Sequence, residues 1–293
     1  RYRSSAASDV YKRQRLRLHY VDWGNPDAPP MILIHGGRDH CRNWDWVAEQ
    51  FRDDYHIIAP DLRGHGDSQW MVGGAYSQID YVYDIAQLLR QKNMAPVTVV
   101  GHSLGGSISL LYTALHPENV NKLIAIEGMG PPPSMIAERV NQPAETRLHN
   151  WFSDLRKSSG RIVKRYPTLE DAFQRMQTEN PHLSEAQARH LTIHGSNQNE
   201  DGTFSWKFDN YVRNFSPIGI PHDDITKLYG NITCPTLLVR GLESWASDPV
   251  ADGRTKAFNC AVEVVAFANA GHWVHHDQLD GFVERMRDFL KDG

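Results

Sequence analysis

The sequence predicts an α/β protein: a mostly parallel β-sheet flanked by helices, with a mainly helical segment inserted between two of its strands. Three observations carry this reading. Short apolar and β-branched runs alternate with stretches of helical period over the first 130 residues, the pattern of βαβ units. That rhythm then stops for about a hundred residues and resumes toward the end of the chain, as an insertion would make it do. One strand-like run, Val97-Thr-Val-Val100, passes directly into the helix-like Ser107-Ile-Ser-Leu-Leu-Tyr112 through Gly101-His102-Ser103-Leu104-Gly105.

Arg1 to Gln14 shares no patterning with the rest of the chain, and Asp9-Val-Tyr-Lys-Arg-Gln14 resembles a translated sequencing adapter, which implies a metagenomic origin. This segment is expected to be disordered or poorly packed. Leu16 to Trp23 alternates apolar and polar residues before Gly24-Asn-Pro-Asp-Ala-Pro-Pro30, which reads as an edge strand and a turn. Met31-Ile-Leu-Ile-His35 is a short apolar run, as in a strand buried on both faces, and it ends in Gly36-Gly37-Arg38. Helix is predicted for Trp44 to Phe51, strand for His56 to Ala59 and loop for Pro60 to Ser68. From Tyr76 to Gln91 the apolar residues Ile79, Val82, Tyr83, Ala86 and Leu89 recur at a helical period. Strand Val97 to Val100, helix Leu104 to Leu115 and strand Leu123 to Ile126 come next.

After Glu127-Gly-Met-Gly-Pro-Pro-Pro133 the helical stretches are Ala144 to Arg156, Leu169 to Thr178 and Ser184 to His194. Ser184 with Gln187 has the form of a capping box, and Gly195 that of a C-terminal stop. Strands Thr236 to Arg240 and Val262 to Phe267 and a helix from Leu279 to Leu290 complete the pattern. The predicted organisation is a core of residues 15–130 and 233–293, with a helical cap at 131–232.

Composition narrows the function classes. A net charge of −4 offers no basic field for nucleic acid or an anionic membrane. Cys41, Cys234 and Cys260 are widely spaced and unpaired as CxxC, which argues against a disulfide framework or structural zinc and suits a reducing, cytoplasmic setting. No apolar run reaches the roughly 18 residues that span a bilayer. The expected partner is a small-molecule substrate, with no cofactor.

A serine between glycines at a strand-to-helix turn is the arrangement of a nucleophile elbow, where the tight turn pushes the hydroxyl out above the sheet. Gly-rich turns of this kind also bind phosphate. The rest of the chain must therefore supply a base, an acid and oxyanion donors. His35-Gly36-Gly37, Asp61-Leu-Arg-Gly-His-Gly-Asp-Ser68, Gly101-His-Ser-Leu-Gly105 and Ala270-Gly271-His272-Trp273 occur in that order. On these motifs the chain resembles the α/β-hydrolase fold family with a cap, over essentially everything after residue 14.

The resemblance implies Ser103 as nucleophile, His272 as base, and the backbone N–H groups of Gly37 and Leu104 as oxyanion hole. A serine hydroxyl is a poor nucleophile at neutral pH and needs a neighbouring imidazole, while each backbone donor typically contributes about 3–4 kcal/mol to the transition state. Most of the family place the acid a few residues beyond the strand after the cap, where this chain has Ser244 and Trp245; Glu243 and Asp248 lie nearby, out of register. Glu127 lies 24 residues beyond Ser103, directly after the next strand. That is the second position the family uses, as in haloalkane dehalogenases. Glu127 is preferred, with Glu243 and Asp248 as alternatives. The dehalogenase nucleophile is an aspartate, so Ser103 implies acyl transfer instead.

Trp273 and Arg38 are expected to contact substrate. The aromatics Trp151, Phe152, Tyr166, Phe173, Phe204, Trp206, Phe208, Tyr211 and Phe215 are expected to form cap core, a subset of them lining the pocket. Trp206-Lys-Phe-Asp-Asn210 resembles a segment of serine-hydrolase-like family members. The charges of Asp61 to Ser68 are expected to brace one another and their turn. His272, His275, His276 and Asp277 lack the spacing of a zinc motif, and no metal is expected. The expected function is a serine hydrolase that cleaves a carboxylic ester or related acyl bond of a small to medium, largely apolar substrate through an acyl-enzyme. A carbon–carbon bond hydrolase or lactonase on the same triad, and a small-molecule receptor with vestigial hydrolysis, are the alternatives.

Overall fold

Val97, Thr98, Val99 and Val100 are all buried, because the strand they form, β5 (Val97–His102), has helices on both of its faces. The computed structural model describes residues 7–11, 16–73, 76–214, 216–217 and 219–291, with the backbone alone for 7–11 and His222. Before β5 come β1 (Ala7–Tyr11), β2 (Leu18–Asp22), β3 (Pro30–Ile34) and β4 (His56–Pro60). After it come β6 (Val120–Ile126), the hairpin β7 (Ser196–Gln198) and β8 (Phe204–Trp206), β9 (Thr236–Gly241) and β10 (Val262–Phe267). The helices are α1 (Asp45–Phe51), α2 (Gln78–Lys92), α3 (Leu104–Leu115), α4 (Pro133–Val140), α5 (Ala144–Ser159), α6 (Leu169–Glu179), α7 (Glu185–Gly195), α8 (His222–Leu228), α9 (Val274–Asp277) and α10 (Leu279–Lys291). None of the described helices is long and apolar enough to cross a membrane.

Eight strands form the main sheet in the order β1-β2-β4-β3-β5-β6-β9-β10. From β4 to β10 every pairing is parallel; β2 pairs antiparallel with β4, and β1 antiparallel with β2. Two expectations change here. Ala7–Tyr11 is an ordered edge strand in register with Leu18–Asp22, so the first fourteen residues are not uniformly disordered, and β2 is not the sheet edge. β4 pairs with only one edge of β2, so the backbone groups of the other edge are open to a neighbouring extended segment, which is what β1 supplies. The remainder of that segment, 1–6 and 12–14, lies outside the described residues.

Alternation along the central strands sends side chains to two cores. Ile32, Ile34, Val97, Val99, Leu123 and Ala125 face one side, where Tyr81, Ile85 and Leu89 of α2 and Ile108 and Leu111 of α3 cover them. Met31, Leu33, Val100, Ile124 and Ile126 face the other, under Val47 and Phe51 of α1 and Phe282, Met286 and Phe289 of α10. Burying each such side chain is worth about 1.5–3 kcal/mol.

The segment between β6 and β9 is helical, with one short hairpin. Thr168 and Ser184 each close a capping box, with Asp171 and Gln187 respectively. Sequence patterning marks a polar turn at Asn197 to Gly202 but not the two strands of the hairpin on either side of it, nor α4 or α8. The two helices have eight and seven residues, too few turns to display a period. The Trp206–Asn210 stretch fastens this segment to the core. Tyr76 Oη donates to Asp209 Oδ2 at 2.7 Å, the Asp209 N–H donates to the Gly64 carbonyl, and Lys207 pairs with Asp67 at 2.9 Å. The loop it grips is braced as expected: Asp61 accepts from the Cys41 and Asp67 N–H groups and contacts His19 Nδ1 at 2.7 Å, while Arg63 is bidentate on Asp84.

Candidate active site

The chain runs from β3 to β4 on one side of β3 and later enters β5 on its other side. A crevice therefore opens beyond the carboxyl ends of β3 and β5, where connections depart in opposite directions, and ligands of open α/β sheets sit at such a point. His35-Gly36-Gly37-Arg38 follows β3, and Ser103 follows β5.

Ser103 has φ 53° and ψ −114°, a conformation that a β-carbon makes costly. The turn is possible because its glycine flanks are crowded by backbone. A Cβ on Gly101 would lie 2.4 Å from the Gly105 carbonyl oxygen, and one on Gly105 only 2.1 Å from that of Ile34. Among the described residues, the non-glycine residues with positive φ are three asparagines, Asn25, Asn93 and Asn269, together with Arg38, Ser103 and Glu127. Asparagine tolerates this region; the other three do not, and all three line one cavity. Backbone strain concentrated in this way is characteristic of working sites.

The hydroxyl of Ser103 lies 2.8 Å from His272 Nε2. His272 Nδ1 lies 3.4 Å from Glu127 Oε2, and the Glu127 side chain is fully enclosed. Glu127 is fixed by two donors: the Gly241 N–H reaches Oε1 and the Ser244 hydroxyl reaches Oε2, both at 2.7 Å. Of the alternative acids, Glu243 is half-exposed against His182 at 3.3 Å, and Asp248 is taken up by Arg240 and the Val250 N–H. With a proton on Nδ1 facing Glu127, Nε2 is left to accept the serine hydroxyl.

Gly37 and Leu104 both border the cavity, and a Cβ on Gly37 would sit 3.9 Å from Leu104 Cβ. Leu104 is the first residue of α3, so its N–H has no partner within the helix. The positive end of the helix dipole adds to it.

Three further contributors carry no signal in the sequence. Ser244 stands where the resemblance expects an acid, and it hydrogen-bonds Glu127 instead. His102 donates from Nε2 to the carbonyl of His272 at 2.8 Å, which fixes the backbone of that residue. Burial, with His272 nearby, holds the His102 pKa well below the ordinary histidine value, so the ring stays neutral. Arg254, almost wholly buried, donates to the Met129 carbonyl and to Ser247 Oγ, the latter at 2.7 Å. It thereby ties the loop that carries Glu127 to the loop that carries Ser244. No short motif marks Ser244 or Arg254, and His102 stands at a position that the Gly-x-Ser-x-Gly motif leaves open.

His275 stacks on Trp44 at 4.6 Å, and Asp277 accepts from the Gly271 N–H at 2.8 Å. These neighbours of His272 are thus engaged in packing and in the turn. The cavity has a volume of about 970 Å³. Trp273 and Arg38 stand on its wall together with Tyr166, Met176, Trp206, Phe208 and Trp245, and the Trp245 ring lies 5.0 Å from that of His272. Of the other aromatics expected in a cap, Phe173 is buried with Leu183 and Leu191, Phe152 is exposed, and Phe215 lies outside the described residues. The wall is less apolar than expected, since Arg38, Arg161, Lys164, Arg175 and Arg213 also border it.

Residues 29–279 match the family model of the alpha/beta hydrolase fold. Epoxide hydrolase 4 of Mus musculus is 25% identical over 295 residues, covering 96% of this chain and 78% of that protein. An esterase of Mycobacterium tuberculosis is 27% identical over 290 residues, covering 96% and 89%. The thioesterase domain from the curacin biosynthetic pathway superposes with a TM-score of 0.83 at 23% identity, over 97% of this chain and 99% of its own. An elbow at the switch point of a mostly parallel sheet, with these matches across nearly its whole length, places the chain in the α/β-hydrolase fold family.

Proposed function

We propose that this protein is a serine hydrolase of carboxylic esters or related acyl bonds. The observation that carries the proposal is the 2.8 Å contact between Ser103 Oγ, held out on a strained turn, and His272 Nε2. In this mechanism Ser103 attacks the carbonyl carbon as its proton passes to Nε2. Glu127 stabilises the imidazolium through Nδ1, and the Gly37 and Leu104 N–H groups take the oxyanion. The tetrahedral adduct collapses as His272 returns the proton to the leaving alcohol, and water activated by the same imidazole releases the acid.

Residues 131–232 act as a cap: Tyr166, Met176, Trp206 and Phe208 from this segment wall the cavity over Ser103. A volume of about 970 Å³ stands at the upper end of the range for small-molecule sites, so the acyl part is of small to medium size and rests against these apolar side chains. The similarity to an esterase of M. tuberculosis supports ester chemistry. A serine nucleophile favours an acyl-enzyme over other hydrolytic routes.

The test compares the protein with Ser103→Ala on a panel of short-chain 4-nitrophenyl esters. A loss of kcat/KM by about 10³ or more is expected. Equal turnover by both proteins would rule out the serine mechanism.

A further inference from the structure

The cavity over Ser103 gathers more positive charge than a purely apolar ester requires. Arg38, Arg161, Lys164, Arg175 and Arg213 border it, against the acids Glu127, Glu179 and Asp277. Most of these have partners. Arg175 is paired with Glu179, Glu127 stands behind His272, Asp277 accepts from Gly271, and Lys164 lies over the Tyr166 ring. The guanidinium groups of Arg38, Arg161 and Arg213 form no ion pair or hydrogen bond with any described residue, and that of Arg213 lies over the Phe208 ring.

These three arginines come from three separate segments: the turn after β3, the stretch after α5, and the turn Asn210–Arg213. They are close enough to repel, since burial, then Arg38 and Arg161, lower the pKa of Arg213, while Glu179, itself paired with Arg175, acts more weakly the other way. Convergence of like charges is unfavourable unless an anion joins them, and it runs against a chain of net charge −4. Arg38 is held in a left-handed backbone conformation, φ 64°, directly after Gly37.

We propose that the substrate carries an anionic group, seated on Arg38, Arg161 and Arg213, while its acyl carbonyl meets Ser103. Guanidinium forks match the two oxygens of a carboxylate and also suit phosphate. The anion is therefore a carboxylate on the acyl part or a phosphate on the leaving group. This rests on the serine-hydrolase reading for the reaction, though not for the binding.

The experiment uses three probes: 4-nitrophenyl butyrate, mono-4-nitrophenyl glutarate and S-butyryl phosphopantetheine. One anionic probe is expected to exceed the neutral ester in kcat/KM by about tenfold or more at low ionic strength, and the advantage should shrink in 0.5 M salt, on the order of the screening expected there. Preference for the glutarate half-ester assigns the carboxylate, and preference for the thioester assigns the phosphate. In Arg161→Gln/Arg213→Gln the ratio of anionic to neutral kcat/KM should collapse toward one. Removal of mutually repelling exposed cations should leave the melting temperature unchanged or raised. No preference in the wild type, or an unaltered ratio in the double variant, overturns the proposal while leaving the serine mechanism standing. Should no probe be turned over, the serine mechanism fails. Calorimetric titration of glutarate and phosphopantetheine then decides the anion site: saturable binding lost in the double variant supports it, and absence of binding overturns it.

Discussion

Ser244 donates a 2.7 Å hydrogen bond to Glu127 Oε2 while its oxygen lies 3.5 Å from His272 Nδ1. The serine therefore occupies space that a carboxylate at position 244 would fill, and Glu127 reaches the same imidazole from the end of β6. This gives a transplant test. Glu127→Gln should lower kcat by about 10³- to 10⁴-fold, since an amide in place of the acid no longer fixes the tautomer or the charge of the base. Adding Ser244→Asp to that variant should recover at least about tenfold of the loss, because the new carboxylate reaches Nδ1. A double variant that stays at the level of Glu127→Gln would mean that Glu127 acts other than as the acid.

The elbow makes a stability prediction. The 2.1 Å approach of a Gly105 Cβ to the Ile34 oxygen is to backbone of a central strand, which has no rotamer with which to yield. Gly105→Ala should therefore cost about 3 kcal/mol or more. In a chain of this size that is a fall of about 6 °C or more in Tm. Calorimetry checks it; a Tm within about 2 °C of the wild type would show that the turn opens at little cost.

Legibility in the sequence tracks how local each feature is. β3, β5 and β6 are apolar on both faces, so their runs are continuous and readable, and the Ser103 turn is written in five consecutive residues. Ser244, His102 and Arg254 are not legible, because each owes its role to partners more than a hundred residues away. The arginines of the cavity mouth resemble any solvated charge until three separate segments bring them together. Ala7–Tyr11 escapes a reading by composition because it resembles nothing downstream, while strand addition at an edge needs only extended backbone.

Buried imidazoles predict how stability depends on pH. Burial holds the pKa values of His35 and His276 down to about 3 and of His65 to about 4, and those of His40, His102 and His275 are lowered by the same cause. His35 shows why neutrality matters, since Nδ1 donates to the Gly36 carbonyl and Nε2 must accept from the Leu62 N–H. With folded values below the ordinary 6.5, the unfolded chain binds more protons between about pH 4 and 6.5, so stability rises with pH there and falls on acidification. Each imidazole contributes a slope of about 1.4 kcal/mol per pH unit once well inside that window. Asp39 opposes them: burial raises it from 3.8 to about 7, so its contribution favours the fold at low pH and is lost as pH rises through 7. Asp277, also raised by burial, opposes them too, while His194, held down to about 3 by burial, joins them, so two carboxyls stand against seven imidazoles and the histidines dominate. Urea unfolding should give a markedly lower midpoint at pH 5 than at pH 7.5; an equal or higher midpoint at pH 5 would contradict the assignment of neutral buried histidines.

Arg254 offers the last test, of whether the loop that carries Glu127 is held from behind. Its guanidinium pairs with Asp252 at 2.8 Å and also grips the Met129 carbonyl and Ser247 Oγ. Replacing it by methionine keeps the length of the side chain but takes the guanidinium from Asp252, which keeps the Ser247 hydroxyl and the residue-254 N–H, and from the Met129 carbonyl, which should cost about 3 kcal/mol. If the strut positions the site, kcat should fall as well, by about tenfold, with KM little changed, because Glu127 and Ser244 would lose their common register. Amide exchange at Gly128 and Met129 should speed up in parallel. Arginine-to-lysine replacement retains a donor without the fork and should fall between the two. A variant that melts lower but keeps its kcat and its exchange rates near Glu127 would reduce Arg254 to a packing residue.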